Sequence, residues 1–446
     1  MDNLMFKNRI LCYSNTLWKY IKPIFIQNLE RNNVNDPVNT RWHITAHDTI
    51  LKTITVDQDL PVELAEASTG VTHRWFLTNA PGLYAYISGV SFNTRTISYS
   101  YLKGSLTVGM HASWNCPYRN FTLDPVSIMI NVEAWSATFV QPGPVWKHSD
   151  GTYRIVSNGY GSGRNTTTLY SSPDLKTWTV VGGNYKYRAG DAPFNESWCV
   201  GTVNHNTYGN MVKIQSGTYA GKYLCFFQGV NASAEMHCAA VIMDEDFNVV
   251  YMPSTPLVIP GYLVDASDKY NIAMGTIYFN NKYYVTISYR DLTPNNIYNV
   301  LLCELSGVTD PTVTSIEVII GTKTPNCWMS LDCPGGPTFE YNGVLYNLTV
   351  GENNSGETTD TPLMANFECG MCSRNKNGVW TVNPMSPMIM NSVAMDDVFP
   401  GTYWQSDAMG TTNMFIDNGI MYVFTSFKSG TDSYRIGRLV SNTTII

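Results

Sequence analysis

The chain has 446 residues, 44% of them hydrophobic and only 14% charged, with a net charge of −7. That is enough apolar material for the cores of two or three domains, while the lack of any Lys/Arg cluster excludes a phosphate-neutralising surface and, with it, nucleic acid as a partner. No stretch has the length and apolarity of a membrane-crossing helix, and Met1 to Gln27 lacks the apolar run and small-residue cleavage site of a secretory signal, so neither membrane insertion nor signal-driven export is expected.

Residues 1–40 carry Leu4, Ile10, Leu11, Leu17, Ile21, Ile24 and Leu29 at loosely helical spacing, broken by Pro23. The pattern predicts one or two short helices, serving as an anchor or oligomerisation segment or packing within the chain. Residues 41–140 then alternate in strand fashion. The runs are Trp75-Phe76-Leu77, Tyr84 to Ile87, Thr96 to Tyr101, Ser105 to Val108 and Ile128 to Val132, with turn-rich spacers such as Asn79-Ala80-Pro81-Gly82 between them. A small β-sandwich or β-barrel is expected there. Gln141-Pro142-Gly143-Pro144 punctuates the chain, and the boundary of a third unit, 141–446, is placed at that point.

From there on one pattern is repeated five times: a polar turn followed by a Tyr-rich alternating strand. It reads Asp150-Gly151-Thr152-Tyr153, Gly221-Lys222-Tyr223, Asn281-Lys282-Tyr283, Asn342-Gly343-Val344 and Asn418-Gly419-Ile420, each running on into alternating apolar residues. Self-similarity at roughly 60 to 76 residues, with strand chemistry in every unit, predicts a radial array of small sheets, a five-bladed β-propeller. Each unit reads as a four-stranded meander opened by the Tyr strand and closed by an outer strand such as Trp178 to Val181 or Val379 to Val382. The fifth unit stops one strand short, which leaves an edge that must be covered. Segment Val132 to Val140 is the expected donor.

The ten Cys are scattered and mostly lie in apolar strand patterns, so they are expected as free thiols. The lone Cys369-Gly370-Met371-Cys372 is read as a strand, and no metal or cofactor is expected. Triplets of the Asn-x-Ser/Thr type, as at Asn120, Asn165 and Asn347, are ascribed to composition.

Ser171-Ser172-Pro173-Asp174-Leu175-Lys176-Thr177-Trp178 resembles the blade hairpin of five-bladed propellers related to arabinanases, xylosidases and fructosidases, with a weaker echo at Met243 to Val250. The resemblance spans about 143 to 446 and implies a ring with a central funnel that binds sugars. In that family two acids reach the funnel from loops entering innermost strands, as glycoside hydrolysis requires one protonated and one ionised carboxyl group. Leu331-Asp332-Cys333-Pro334 is similar to the family's Glu-Cys-Pro general-acid motif, with Asp for Glu. The run Pro142 to His148, where the family's other acid is expected, has no carboxylate, and Arg290-Asp291-Leu292 follows an inner strand instead of preceding one. Asp268, Asp407 and Glu196 lie upstream of inner strands and stand with Asp332 as alternative catalytic acids.

Trp146, Trp198, Trp328 and Trp404 also precede inner strands, and indole faces suit the CH faces of sugar rings. With Asp332 and Asp407 they form the expected glycan-binding set. The leaderless, neutral-polar, Tyr/Asn/Thr-rich composition resembles that of bacteriophage fibre and receptor-binding proteins. The leading expectation is therefore a virion fibre or tail protein, homotrimeric through its N-terminal part and attached there to other virion proteins. It recognises a bacterial surface polysaccharide with avidity from many copies. The alternatives are a glycoside hydrolase acting on that glycan and a structural virion protein with a protein-binding propeller.

Overall fold

The computed structural model describes residues 42–57, 74–77, 84–90, 95–103, 108, 111–115, 121–123, 139–161, 163–202, 206–265, 269–291, 297–321, 332–341, 343–352, 367–375, 377–382, 406–429 and 433–441. Among them there is no helix, and the fold is all β. The helical expectation for 1–40 and the strand expectation at Ile128 to Val132 lie outside the described residues.

The upstream unit is a closed six-stranded barrel. Its order is Trp42–Asp48, Thr53–Val56, Thr96–Lys103, Tyr84–Val90, Arg74–Leu77 and His111–Asn115, returning to the first. The alternation read from the sequence appears directly as burial: in Thr53–Val56, Ile54 and Val56 are inside and Thr53 and Thr55 half-covered, as a two-residue side-chain period requires.

Five antiparallel sheets follow. Their strand orders, from the first strand in the chain outwards, are as follows. The first sheet is Phe139–Lys147, Tyr153–Gly161, Arg164–Ser172, Thr179–Val180, and the second is Val212–Lys213, Tyr223–Val230, Met236–Met243, Val249–Tyr251. The third runs Lys269–Phe279, Lys282–Asp291, Ile297–Leu305, Val313–Ile320. In the fourth, Asp332–Gly335 and Thr338–Tyr341 share the first place, before Val344–Glu352, Phe367–Arg374 and Trp380–Val382. The fifth runs Ser406–Asp417, Ile420–Ser429, Ser433–Ser441, and ends in Phe121–Leu123. Each sheet packs on the next and the fifth packs on the first, so the ring is closed.

Two expectations are corrected here. The Tyr strand is the second strand of each unit, not the first: an extra strand upstream of it, starting at Phe139 in the first unit, is the innermost one. The ring therefore begins before residue 141, and Pro142-Gly143-Pro144 lies inside a strand, at a bulge between Pro142 and Val145 where a proline costs no ladder bond. The missing strand of the fifth unit is Phe121–Leu123, not Val132 to Val140. It pairs as Leu123 with Leu439, Thr122 with Val440 and Phe121 with Ser441.

Turn chemistry fixes the registers. Asn280-Asn281 and Asn418-Gly419 take positive φ at both central positions of two-residue hairpins, the mirror-image turn that matches strand twist and that Asn and Gly tolerate. The outer hairpins use a different device. Asp174 accepts hydrogen bonds from the Lys176 and Thr177 amides at 2.8 and 2.7 Å, while Leu175 adopts φ +60 and is buried. Phe247 repeats this in the second sheet at φ +59. A left-handed non-glycine residue costs about 1–2 kcal/mol, and burying a Leu or Phe returns about 1.5–3 kcal/mol. The Arg438 guanidinium of the fifth sheet donates to the Leu175 carbonyl at 2.9 Å, tying the last sheet to the first.

Candidate functional site

A cavity of about 310 Å³ is lined by Val145 and Trp146, Met211 and Val212, Ile277 and Tyr278, Phe339 and Glu340, and Met414 and Phe415. These pairs come from all five sheets, from the first strand in each or, for Met211, from the residue immediately before it, so the cavity marks the ring axis and the first strands are the innermost. In the first, third and fifth sheets its lining lies in the later half of those strands, at what we term the downstream mouth. The upstream mouth is the end at which the innermost strands begin.

Between the mouths the innermost backbones press against one another. A Cβ on Gly209 would lie 1.7 Å from the Met274 carbonyl oxygen, one on Gly275 2.6 Å from the Asn210 nitrogen, and one on Gly143 2.7 Å from the Thr207 carbonyl. Only glycine permits this approach. Bulges at this level leave backbone groups without ladder partners, and buried amides take them up. Asn158 grips Thr207 at both ends, donating to its carbonyl at 2.7 Å and accepting from its amide at 3.0 Å. Asn347 donates to the Gly336 carbonyl at 2.8 Å, Asn413 donates to the Gly143 carbonyl, and the Thr276 amide donates to the Asn210 carbonyl at 2.7 Å. Asn165 and Asn347 are 2% and 0% exposed, so these two glycosylation triplets are interior parts of the fold.

The expected glycan-binding indoles separate on inspection. Trp146 and Trp198 are 5% and 2% exposed, packed in the seam between the first and second sheets with Phe194, Phe227 and Phe247. Trp146 stacks on Phe247 with ring centroids 5.7 Å apart and donates its N–H to the Glu245 carbonyl at 3.2 Å, as Trp198 does to the Pro253 carbonyl at 2.9 Å. With faces covered and donors used, neither can stack on a sugar, and both are corrected to core residues. Trp328, Trp404 and Asp268 lie outside the described residues. Glu196 is half-buried in the connection from the first to the second sheet, where its carbonyl accepts from the Cys199 amide at 2.9 Å. Burial pushes the thiols of Cys225, Cys303 and Cys372 up to about 12, which keeps them protonated packing groups.

Asp332 and Asp407 do come to one end of the ring. Asp332 is the first residue of the innermost strand of the fourth sheet and Asp407 the second residue of that of the fifth, so both stand at the upstream mouth. Asp407 is the extra residue of a bulge between Ser406 and Ala408. Antiparallel pairing adds two acids that sequence order concealed. Glu352 is the register partner of Asp332, and Asp291 that of Lys269, with the Lys269 ammonium 3.8 Å from the Asp291 carboxylate. Arg290 and Asp291, from the motif set aside because it follows an inner strand, are thereby returned to the same mouth. The signal that could have found both is their position at the last residue of a Tyr strand.

The downstream rim is built differently. Asp417 accepts from the Tyr153 hydroxyl at 2.7 Å and lies 3.6 Å from the Lys147 ammonium. That hydrogen bond, with burial second, pushes the Tyr153 phenol up to about 12. Among the described residues no group of three or more His, Cys, Asp and Glu is placed to hold a metal.

No protein-family model matches the chain, and no curated protein matches it in sequence. Solved structures match its shape. A thermostable family-43 glycoside hydrolase, 12% identical, covers 70% of this chain and 91% of its own with a TM-score of 0.48. Two candidate glycoside hydrolases, from Bacteroides ovatus ATCC 8483 and Parabacteroides distasonis ATCC 8503, are 12% and 13% identical and each superimpose on 73% of this chain with TM-scores of 0.50. They are covered over 94% and 97% of their own lengths. At such identities the likeness establishes the fold, a β-propeller shared with glycoside hydrolases, and leaves the chemistry to be argued from the site.

Proposed function

We propose that the protein is a carbohydrate-active propeller that hydrolyses a polysaccharide at the upstream mouth of its axis. The observation that carries this reading is the placement of carboxyl-bearing residues from adjacent sheets where their innermost strands begin. Asp332 stands opposite Glu352, and Asp407 stands on a bulge in the next sheet. Glycoside hydrolysis needs one protonated and one ionised carboxyl group, and these positions supply residues for both. In this reading Asp332, supported by Glu352, protonates the leaving glycosidic oxygen as the bond from that oxygen to the anomeric carbon breaks. Asp407 takes the other role, accepting a proton from the water that attacks the anomeric carbon.

The second reading is recognition of a bacterial surface glycan without cleavage, as in a phage fibre or tail protein. It is favoured by one observation: among the described residues, the innermost strands Phe139–Lys147 and Val212–Lys213 of two of the five sheets contain no Asp or Glu. Incubating the full chain with a panel of bacterial and plant polysaccharides tests both. Release of oligosaccharides that falls at least about 100-fold in Asp332→Asn supports hydrolysis. Saturable binding with no release from any substrate supports recognition, and neither binding nor release would sink both.

A further inference from the structure

We infer that Gln141, held in place by Tyr208, is a substrate-positioning residue at the floor of the upstream mouth, where its amide N–H donates to a ring hydroxyl of a neutral sugar. The assignment rests on the carbohydrate reading of that mouth. It names the group through which the first and second sheets, whose described innermost strands carry no acid, take part in it.

Gln141 lies in the innermost strand of the first sheet, two residues upstream of Gly143, and Tyr208 immediately precedes Gly209 in the approach to the second. Both stand on the upstream side of the level at which the backbones meet. Successive strand residues face opposite ways. Val140 is buried with Phe424 and Ile436 in the seam with the fifth sheet, so Gln141 points towards the second sheet. There the Tyr208 hydroxyl donates to its side-chain oxygen at 3.0 Å. Burial pushes the Tyr208 phenol up, which keeps that donor protonated.

The bond occupies the amide oxygen and leaves the nitrogen for a ligand. Both residues are half-buried. Among the described residues the Gln141 side-chain nitrogen has no hydrogen-bond partner and, unlike the unsatisfied Asn210 and Gln228 oxygens, it is not sealed from solvent. The side on which it is open follows from what closes the others. Outward, its register partner Asn158 is fully buried. Downstream, Gly143 presses on the Thr207 carbonyl. Upstream is the mouth.

The depth suits one ring. Asn413, which holds the Gly143 carbonyl, pairs with Phe424, while Ala408, next to Asp407, pairs with Lys428. Asp407 therefore stands about four ladder steps above the glycine level and Gln141 about two, a difference of about 7 Å at ~3.3 Å per residue. A sugar whose glycosidic bond lies between the acids reaches the floor with its far hydroxyls. An amide N–H is a neutral donor that suits a hydroxyl oxygen, whereas a uronic acid would carry its carboxylate in among Asp332, Glu352 and Asp407.

The test uses the full chain with methyl and para-nitrophenyl glycosides of arabinose, xylose, galactose and glucose, and their monodeoxy analogues. Calorimetry reads binding and nitrophenol absorbance reads cleavage. On the sugar that is bound or cleaved, removal of one hydroxyl should weaken the parent chain by about 2- to 13-fold, the worth of one hydrogen bond. Gln141→Met, which keeps the side-chain length and removes the donor, should weaken the intact sugar by the same factor and leave that one deoxy analogue no worse. Tyr208→Phe, which releases Gln141 without removing it, should show the same pattern with a smaller loss, and it reads the contact if Gln141→Met fails to fold. An effect of Gln141→Met that is absent, or equal on every analogue, overturns the assignment and leaves the carbohydrate reading standing. Failure of every probe to bind or be cleaved also overturns the assignment, and the polysaccharide panel then decides the carbohydrate reading separately.

Discussion

The two mouths of the ring are made by the same five strands and are chemically opposite. Upstream, the sheets carry buried Asn, Ser, Thr and Gln, and the acidic residues Asp332, Glu352, Asp291 and Asp407 gather where the innermost strands begin. Downstream, the strands turn apolar and aromatic and line the open cavity. The difference teaches what the glycine level between them does. It brings backbones into contact, so that the amides fixing those backbones must be polar. Beyond it the strands diverge and can pack by apolar burial alone.

The sharpest way to break this division is Gly209→Ala. Its new Cβ would meet backbone at 1.7 Å in a residue at φ +64, and a loss of at least about 4 kcal/mol, or failure to fold, is expected. Chemical denaturation reads this directly. Next comes Asn158→Leu, which strips both partners from Thr207 and should cost about 2–3 kcal/mol through unsatisfied buried groups. Thermal melting should show it as a lowered midpoint with the far-ultraviolet spectrum retained.

Away from the axis, the seam between the third and fourth sheets holds a fork in which Arg374 donates to both Glu317 oxygens at 2.7 Å and the Trp380 indole adds a third bond at 2.9 Å. Arg374→Met should cost about 2 kcal/mol in the same denaturation assay. Burial alone raises the Glu317 carboxyl, but the Arg374 and Trp380 bonds outweigh it and hold the group below its ordinary value. A lowered folded-state value means that its contribution is complete above about pH 4.5 and disappears as the pH falls through the folded value. The loss of stability on acidification should therefore be shallower in Glu317→Gln than in the parent chain. The smallest effect sharpens the contrast: Gly151→Ala has similar φ, +86, but opens on empty space and should cost only about 1 kcal/mol.

Much of the ring was legible because hairpin chemistry is local. Asn280-Asn281, Asn418-Gly419 and the Asp174-Leu175 turn announce themselves in three or four residues, and the Tyr strands they introduce are long enough to alternate visibly. The innermost strands escaped because convergence on an axis, not a periodic pattern, dictates their residues. Yet Gly143, Gly209 and Gly275 recur every 66 residues, a period that marks the axis once the reason for glycine is understood. Phe121–Leu123 is three residues long and carries no pattern to read. Trp146 and Trp198 were misplaced because position before a strand says nothing about which way a ring is packed. The acid pair of Asp332 and Glu352 depends on strand register, which emerges only when the sheet is assembled.

The most direct test of the account is oligosaccharide affinity, measured by calorimetry on the full chain and on three variants of matched thermal stability. Two lie upstream, Asp332→Asn and Asp407→Asn, and one downstream, Asp417→Asn. The account predicts that each upstream change weakens binding at least about 10-fold, as loss of a charged hydrogen-bonding group in a binding site does, while the downstream change leaves it unaltered. Affinity that falls with Asp417→Asn and is indifferent to the other two would contradict it.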